Sequence, residues 1–464
     1  MIIKSVEIRN YKDEESKKYT FYERDDSSEN NHISVIIGPN GCGKSVLLRD
    51  LANIGREINE LKTGSHRRLS FEYTLTIINE HKFQKVLMGK NSTFVTDGTE
   101  VSLEDFILPS RIVAISTIVT DKFPFEKDNA FYKYAGVRTA RGSAGTRTAI
   151  KDLVNSLANV SFNKLQLFSD VLSQLSFNKI LFVSYQLKQR KYLHAFSNID
   201  DMDNYFTNWK DRTNRETVPY NISTYNKLSR EQKIKIFELI NEANDVGHFI
   251  YNCLDSSEFM KFSEQYEVLQ LLSKLDLISF PLIHISKNGS IEDIQGLSSG
   301  EYNIILHLLK IVLNVGDHSL LLIDEPEVSF HPNWQIQYIK LLELCLKPFS
   351  GIHVIIATHS HLLLSGLDPN NSSVIFFTQD GRNEILDYPI SGWSPENILY
   401  KVFQITCGRN YYFEMDIRRI IKFIETREDN AGEIISVINN VSKFILSKDD
   451  PLNELITQAK GLLK

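Results

Sequence analysis

Short apolar runs and amphipathic stretches alternate in two separate parts of the chain. Residues 34–37 are a β-type apolar run that stops at a glycine, and from Lys44 onward apolar residues recur at helical spacing. This pattern predicts a strand, a tight glycine loop and a helix. Residues 320–323 and 354–357 are continuous apolar runs, typical of strands covered on both faces of a sheet. A helix with proline in its first turn is predicted between them, at residues 332–346.

More polar segments separate these two parts. Residues 69–101 hold β-type stretches broken by turn signals, which predicts antiparallel hairpins, and residues 111–118 are a further buried strand candidate. The next segment is polar, tyrosine-rich and helical without sustained heptads. The predicted fold class is α/β, with an antiparallel β subdomain, a helical insertion and a C-terminal helical region. The predicted units are the N-terminal half of the α/β head (1–150), the helical insertion (151–284), the C-terminal half of the head (285–400) and the C-terminal helical region (401–464).

Composition narrows the class of protein. The 464 residues are 42% hydrophobic and 24% charged, as in ordinary globular proteins, and the formal charge of -6 argues against a globally basic nucleic-acid coat. Any DNA contact is therefore expected to be local or to belong to a partner. The four cysteines lie far apart without a C-x-x-C pair, which indicates neither a disulfide framework nor a zinc knuckle. No apolar run approaches membrane-spanning length, so a cytoplasmic protein without membrane attachment is expected.

A phosphate-binding loop follows the first apolar run. It reads Gly38-Pro39-Asn40-Gly41-Cys42-Gly43-Lys44-Ser45 and fits G-x-x-x-x-G-K-[ST] in the strand-loop-helix context that this motif requires. Glycines let backbone N–H groups surround phosphate oxygens, and the start of the helix adds its positive dipole end. Lys44 would reach the β and γ phosphates and Ser45 would ligate Mg²⁺. The loop predicts ATP and Mg²⁺ as cofactors.

Two adjacent carboxylates end the strand predicted at residues 320–323. Ligands of open α/β sheets bind at the carboxyl ends of the strands, where Asp324 and Glu325 lie. One acid can hold the metal while its neighbour, pointing elsewhere, polarises an attacking water. Asp324 is assigned the first role and Glu325 the second.

Two more elements complete a family pattern. Ser298-Ser299-Gly300-Glu301 opens a predicted helix before the acidic strand, and Thr358-His359-Ser360 follows the next strand. The order of these four elements resembles that of the ABC-type ATPases: the phosphate loop, the signature motif (Ser298–Glu301), the acidic strand and the switch histidine (His359). The resemblance implies an ABC-type head in which His359 assists catalysis. It also implies that the signature residues bind the nucleotide held by a second subunit, so that ATP joins two copies.

The amino-acid sequence from Asp324 to Pro332 resembles the RecF, SMC-like and OLD-type branch of that family. Residues 115–123 and 132–138 resemble the ATPase subunit of Septu-type anti-phage systems. The resemblance implies a slow or regulated ATPase that forms a homodimer or higher homo-oligomer and regulates a separate nuclease of the HNH type. Residues 400–464 offer no acidic D-x-D strand, so no nuclease is expected in the chain itself. A slow nucleotide-dependent scaffold and a DNA-repair or chromosome-maintenance head remain as alternatives.

The sequence departs from the ABC pattern at two places. Ser299 stands where the signature commonly has glycine, and no glutamine matches the metal-sensing loop, where Asp121 is the candidate substitute. His331 either senses the opposite nucleotide or simply starts a helix. Cys42 is either a small side chain that fits the loop or a reactive thiol.

Two further features carry open alternatives. Arg138, Arg141 and Arg147 lie in a glycine-rich loop and either contact nucleic-acid phosphate or face solvent. Tyr11 follows the first strand and either stacks on adenine or packs at an edge.

Overall fold

The computed structural model describes most of the chain. The described residues are 1–10, 16–23, 31–64, 69–79, 82–89, 92–125, 129–138, 146–188, 196–208, 220–243, 246–378, 382–386, 393, 395–403, 411–426, 431–442 and 451–463.

Strands dominate the first third of the chain and helices the last. The strands are β1 (Ile2–Asn10), β2 (Lys17–Thr20), β3 (His32–Ile37), β4 (Phe71–Asn79), β5 (Lys82–Met88), β6 (Ser92–Thr96), β7 (Thr99–Val101), β8 (Ile112–Ser116), β9 (Tyr132–Tyr134), β10 (Leu181–Gln186), β11 (His248–Asn252), β12 (Leu282–Lys287), β13 (Ser290–Asp293), β14 (Leu320–Asp324), β15 (His353–Ala357), β16 (Ser372–Phe377) and β17 (Asn383–Ile385). The helices are α1 (Lys44–Lys62), α2 (Thr146–Ala158), α3 (Phe162–Gln174), α4 (Ile199–Thr207), α5 (Tyr220–Tyr225), α6 (Arg230–Ala243), α7 (Ser256–Lys274), α8 (Ser299–Asn314), α9 (Pro332–Leu346), α10 (His361–Leu364), α11 (Pro395–Lys401), α12 (Tyr411–Thr426), α13 (Ala431–Ser442) and α14 (Pro451–Leu462).

The central sheet is built from strands that are far apart in the sequence. Its order is β17-β16-β3-β15-β14-β8-β9, parallel throughout except for β17 at one edge. β3, β14 and β15 are buried along their whole length, as the continuous apolar runs predicted for β14 and β15. The two predicted halves of the α/β head thus form one sheet, and the predicted α/β fold class is confirmed.

Helices and a second sheet cover the two faces of the central sheet. Because side chains alternate along a strand, Val35 packs into one core and Ile36 into the other. The first core contains α3, α8 and α9, and the second contains α1 and the antiparallel sheet of order β2-β1-β4-β5-β6-β7. The hairpins predicted at residues 69–101 are strands of that antiparallel sheet.

The segment between the halves is not purely helical. It holds α2 to α7, but β10 and β11 also lie within it and pair with β12 in a third sheet of order β11-β10-β12-β13. The prediction of a helical insertion over residues 151–284 was therefore incomplete. β10 and β11 are only six and five residues long, and each lies among helical stretches, so their period-two pattern was too short to stand out.

Three helices close the described part of the chain. α12, α13 and α14 pack around a small core of their own that includes Ile420, Ile438 and Ala459. Within the described residues, no helix combines the length and the apolar character needed to cross a bilayer.

Candidate nucleotide-binding site

The loop between β3 and α1 has the backbone that phosphate binding requires. Gly38, Gly41 and Gly43 all have positive φ, at 151°, 80° and 101°. A Cβ on Gly38 would lie 2.4 Å from the carbonyl oxygen of Phe377, so only glycine fits there. Gly43 is the N-cap of α1, and the helix therefore opens with amide groups that no N-cap side chain covers.

Lys44 is the first residue of α1, and its side chain folds back onto this loop. It is 4% exposed, and its ammonium donates hydrogen bonds to the carbonyl oxygens of Gly38 at 2.9 Å and Pro39 at 3.1 Å. Burial lowers the pKa of Lys44, while nearby acids including Glu325 oppose that shift. The Nδ1 atom of His359 lies 3.4 Å from the ammonium, which places the predicted switch histidine at the phosphate loop.

Ser45 and Asp324 meet across the floor of the site. The Ser45 hydroxyl donates a hydrogen bond of 2.9 Å to Oδ1 of Asp324, which is 2% exposed. Burial raises the pKa of Asp324 to about 6, and the Ser45 hydroxyl opposes the rise. A hydroxyl and a carboxylate are hard oxygen donors of the kind Mg²⁺ prefers, and a divalent cation would stabilise the ionised Asp324. The two predicted metal ligands therefore fit Mg²⁺.

Glu325 pairs with His359. Oε1 of Glu325 lies 3.0 Å from Nε2 of His359, while the Glu325 amide donates to the carbonyl of Ala357 at 2.9 Å. The Thr117 hydroxyl donates to the Glu325 carbonyl at 2.8 Å. These contacts hold Glu325 in a left-handed conformation, with φ of 49°, that non-glycine residues adopt at a cost of roughly 1–3 kcal/mol. The two predicted catalytic residues thus lie together beside Lys44.

Glu327 is a third acid of the site, and no role was predicted for it from the sequence. Its Oε1 accepts a hydrogen bond of 2.7 Å from the His359 amide. Burial and the neighbouring Glu325 carboxylate raise the pKa of Glu327, so this side chain keeps its proton at neutral pH. Burial would also raise the pKa of Glu325, but hydrogen bonds from His359 and from Glu327 hold it below its ordinary value. The pair therefore shares one proton, and Glu325 is the ionised member.

Asp121, the candidate for the metal-sensing residue, is held by its own neighbourhood in the chain. Its carboxylate accepts hydrogen bonds from the Phe123 amide at 2.9 Å and from the Tyr134 hydroxyl at 2.6 Å, and Arg138 lies 3.6 Å away. These partners occupy both oxygens. Arg138 is half-buried, and it also donates to the backbone carbonyls of Asp121 and Phe123.

The signature residues form the start of α8. Ser298 caps α8 through a reciprocal capping box with Glu301, whose carboxylate also pairs with Lys287. Gly300 is buried, and a Cβ there would lie 2.7 Å from the Ser329 carbonyl. Ser298 and Ser299 are exposed. The hydrogen bonds and contacts described for these residues lie within residues 287–334, away from residues 38–45.

The remaining sequence candidates are distributed as follows. His331 is the N-cap of α9, where its Nδ1 accepts from the Asn333 amide at 3.3 Å, as the helix-start alternative expects. The Cys42 thiol lies 3.9 Å from the Lys44 ammonium and is half-buried. Arg147 is exposed. Tyr11 and Arg141 lie outside the described residues.

Comparisons with known proteins agree with a nucleotide-binding domain. Residues 33–365 match the family model described as AAA domain, putative AbiEii toxin, Type IV TA system. No curated protein matches the chain significantly in sequence.

Solved structures of Smc heads overlap loosely with the chain. The SMC head domain from Thermotoga maritima is 12% identical, covers 83% of this chain and 98% of its own, and gives a TM-score of 0.38. An Smc head domain with a coiled coil and joint from Pyrococcus yayanosii is 10% identical over 87% and 99%, with a TM-score of 0.35. At these TM-scores the overlap is too loose to support a conclusion about function.

Proposed function

Because the chain belongs to the AAA-domain family described as putative AbiEii toxin of type IV toxin–antitoxin systems, we propose that it binds ATP with Mg²⁺ and hydrolyses it slowly or under regulation. One observation carries this proposal. The predicted metal ligands, Ser45 and Asp324 at 2.9 Å, and the predicted catalytic pair, Glu325 and His359 at 3.0 Å, converge on the buried Lys44.

Each residue has a distinct task in this mechanism. Lys44 and the amides at the start of α1 bind the phosphates, and Ser45 and Asp324 would hold Mg²⁺, which neutralises phosphate charge when bound. Glu325 accepts a hydrogen bond from the attacking water and orients it. His359 holds the Glu325 carboxylate and reaches Lys44, so it positions the base relative to the phosphates.

We propose further that the site is completed by a second copy of the chain. Ser298 and Ser299 are exposed at the start of α8, where a helix N-terminus favours an anion. The signature contacts lie outside the phosphate loop of the same chain, which supports binding to a nucleotide held by the other copy. ATP would then stabilise a homodimer or higher homo-oligomer, because a ligand that binds only the paired state shifts the population toward it.

The biological role that we favour is anti-phage defence with a separate nuclease. Two observations support it. The sequence resembles the PtuA-type ATPase of Septu systems. The family is described as a putative toxin of a type IV toxin–antitoxin system, which also pairs the toxin with a second component. In this role the ATPase holds or regulates an HNH-type nuclease, and any DNA contact belongs largely to the complex.

Glu325→Gln tests hydrolysis and pairing together. The amide keeps the shape but loses the charge that orients water, so turnover should fall by about two to four decades while ATP binding survives. In the presence of ATP, the dimer of Glu325→Gln should then accumulate. For wild type and Glu325→Gln, we would measure turnover, ATP affinity by calorimetry, and the mass of the particle in solution with and without ATP. Glu384 is an exposed acid on β17, and Glu384→Gln is the matched control.

Wild-type turnover in Glu325→Gln would contradict the catalytic assignment. For the defence role, the same variants are expressed with the neighbouring open reading frame, which this proposal expects to encode the nuclease, and protection is scored by plaque formation. Glu325→Gln should abolish protection and Glu384→Gln should retain it. Lost turnover with intact protection would instead favour the nucleotide-dependent scaffold.

A further inference from the structure

A cavity of about 220 Å³ lies behind the signature helix, apart from the phosphate loop. The carboxyl end of β8, the start of α2 and one side of α8 enclose it. Its apolar lining consists of Ile115, Val119, Val137, Ala149 and Leu306. An engineered cavity of about 150 Å³ with an apolar lining accepts benzene, so this one has room for a small organic molecule.

Polar side chains also line the cavity, and His307 and Lys310 of α8 are the two that titrate with shifted pKa values. His307 is 2% exposed, and its Nε2 lies 2.7 Å from the Tyr338 hydroxyl, whereas its Nδ1 has no hydrogen-bond partner among the described residues. Lys310 donates to the Gly136 carbonyl at 3.2 Å. Burial lowers the pKa of His307 to about 3 and that of Lys310 to about 8, so the ring is neutral and the ammonium is mostly charged at pH 7. A buried polar atom without a partner costs about 1–3 kcal/mol.

We propose that this cavity binds a small apolar molecule that carries one carboxylate. Its apolar body packs against Ile115, Val119 and Leu306, and its carboxylate pairs with the Lys310 ammonium. Asp152 is an acid of the same chain that already acts on the Lys310 charge, and a bound carboxylate would add a second opposite charge with direct hydrogen bonds.

The cavity also contacts two elements of the proposed ATPase, the turn at Glu325 and the signature helix α8. Thr117 lines it and donates to the Glu325 carbonyl, and the α8 residues that line it belong to the helix that starts at the signature. A bound carboxylate would therefore change ATP turnover, a coupling that rests on the proposed function. By linkage, ATP binding and carboxylate binding must alter one another equally.

Calorimetry on the full chain without nucleotide tests the binding claim. The probes are 3-phenylpropanoate and its neutral amide, 3-phenylpropanamide. Wild type should bind the acid at least about tenfold more tightly than the amide, which corresponds to one charge-assisted contact. Lys310→Met should remove that preference. Lys151→Met, an exposed lysine of α2, is the matched control and should keep it.

Ala149→Phe fills the cavity from α2 and should abolish binding of both probes, with thermal unfolding and ATP binding recorded to show that the variant folds. No binding by wild type, equal affinity for acid and amide, or full binding in folded Ala149→Phe would each overturn the proposal. Because these titrations contain no ATP, they stand or fall separately from hydrolysis. Turnover that is unchanged at saturating 3-phenylpropanoate would refute the coupling alone.

Discussion

Glu325 shows how the backbone itself aims a catalytic side chain. Its left-handed conformation precedes Pro326, and both the side chain and the following proline disfavour that region. The bonds to Ala357 and Thr117 offset the strain and come from the two strands that flank β14. The central sheet therefore sets the direction in which the Glu325 side chain leaves the backbone, and the contact with His359 holds its carboxylate.

Glu327 should act by keeping its proton. Glu327→Gln imitates the protonated acid and should leave turnover at pH 7 within about threefold of wild type, whereas Glu327→Ala removes the acceptor for the His359 amide and should lower turnover by about tenfold or more. Steady-state turnover separates the two variants. Equal loss in both would show that the negative charge of Glu327 is needed.

The same proton links Glu327 to the stability of the fold. The pKa of Glu327 in the folded protein is raised above the ordinary 4.5. The stabilisation that the protonated side chain gives the fold is therefore complete below about pH 4.5 and is lost as pH rises through the native pKa. The free energy of unfolding of wild type relative to Glu327→Gln should fall over that window, by at most about 1.4 kcal/mol per pH unit for one proton. Urea unfolding at several pH values measures the difference. A pH-independent difference would contradict the shared proton.

Metal removal should expose the role of Ser45 and Asp324. With EDTA, Ser45→Ala and wild type should bind ATP with similar affinity, because Lys44 and the loop amides remain. Added Mg²⁺ should tighten binding by wild type and much less by Ser45→Ala or Asp324→Asn. Fluorescent-nucleotide titrations with and without Mg²⁺ measure this gain, and an undiminished gain in both variants would remove these residues from the metal site.

At the scale of elements, predictions succeeded where one local signal sufficed. α9 runs over the predicted Pro332–Leu346 because proline fixes the first turn of the helix. β14 and β15 were predicted because a strand buried on both faces is apolar throughout. β10 and β11 were missed because their pairing joins residues about 65 positions apart and leaves little local trace.

The nucleotide-binding site was likewise predictable only where a local sequence motif marks its residues. The loop, the acids and His359 each belong to a motif of fixed spacing. Glu327 stood in the sequence two residues after Glu325, but its role depends on the turn at Pro326 and on the neighbouring strand that brings the His359 amide to it. The ion pair of Arg138 with Asp121 is likewise a tertiary contact, so the sequence of the glycine-rich loop did not indicate it.

The start of α8 offers a clean test of pairing. Ser299 is exposed, so Ser299→Arg should preserve the fold yet block ATP-dependent pairing, since the long side chain would stand where the second nucleotide binds. Gly300→Ala is less suitable, because its Cβ would collide with the Ser329 carbonyl. Light scattering with ATP compares Ser299→Arg with Ser273→Arg, an exposed serine of α7. Normal pairing by Ser299→Arg would place the signature outside the interface.

At the scale of the molecule, the C-terminal helices form a nearly separate body. Their core is distinct from the two cores of the head, and the described junction includes the Tyr400 hydroxyl, which donates to Asp416 at 2.6 Å, and Lys401, 3.7 Å from the same carboxylate. Few groups of the head depend on them.

Removal of residues 404–464 should therefore leave a folded head. We expect ATP affinity within about threefold of the full chain and a Tm within about 4 °C, since few buried contacts are lost. Calorimetry and thermal unfolding measure both. Loss of ATP binding in a folded truncation would show that these helices support the site.

The order of the central sheet also governs how the chain is made. β3, which carries the phosphate loop at its end, pairs with β15 and β16, and so its neighbours emerge from the ribosome roughly 300 residues after it. At about 5–20 residues per second, this buried strand waits on the order of 15–60 s for its partners. A nascent chain thus holds the phosphate loop without the sheet that shapes it. Prematurely terminated products should consequently be poor competitors for ATP and ready substrates for chaperones.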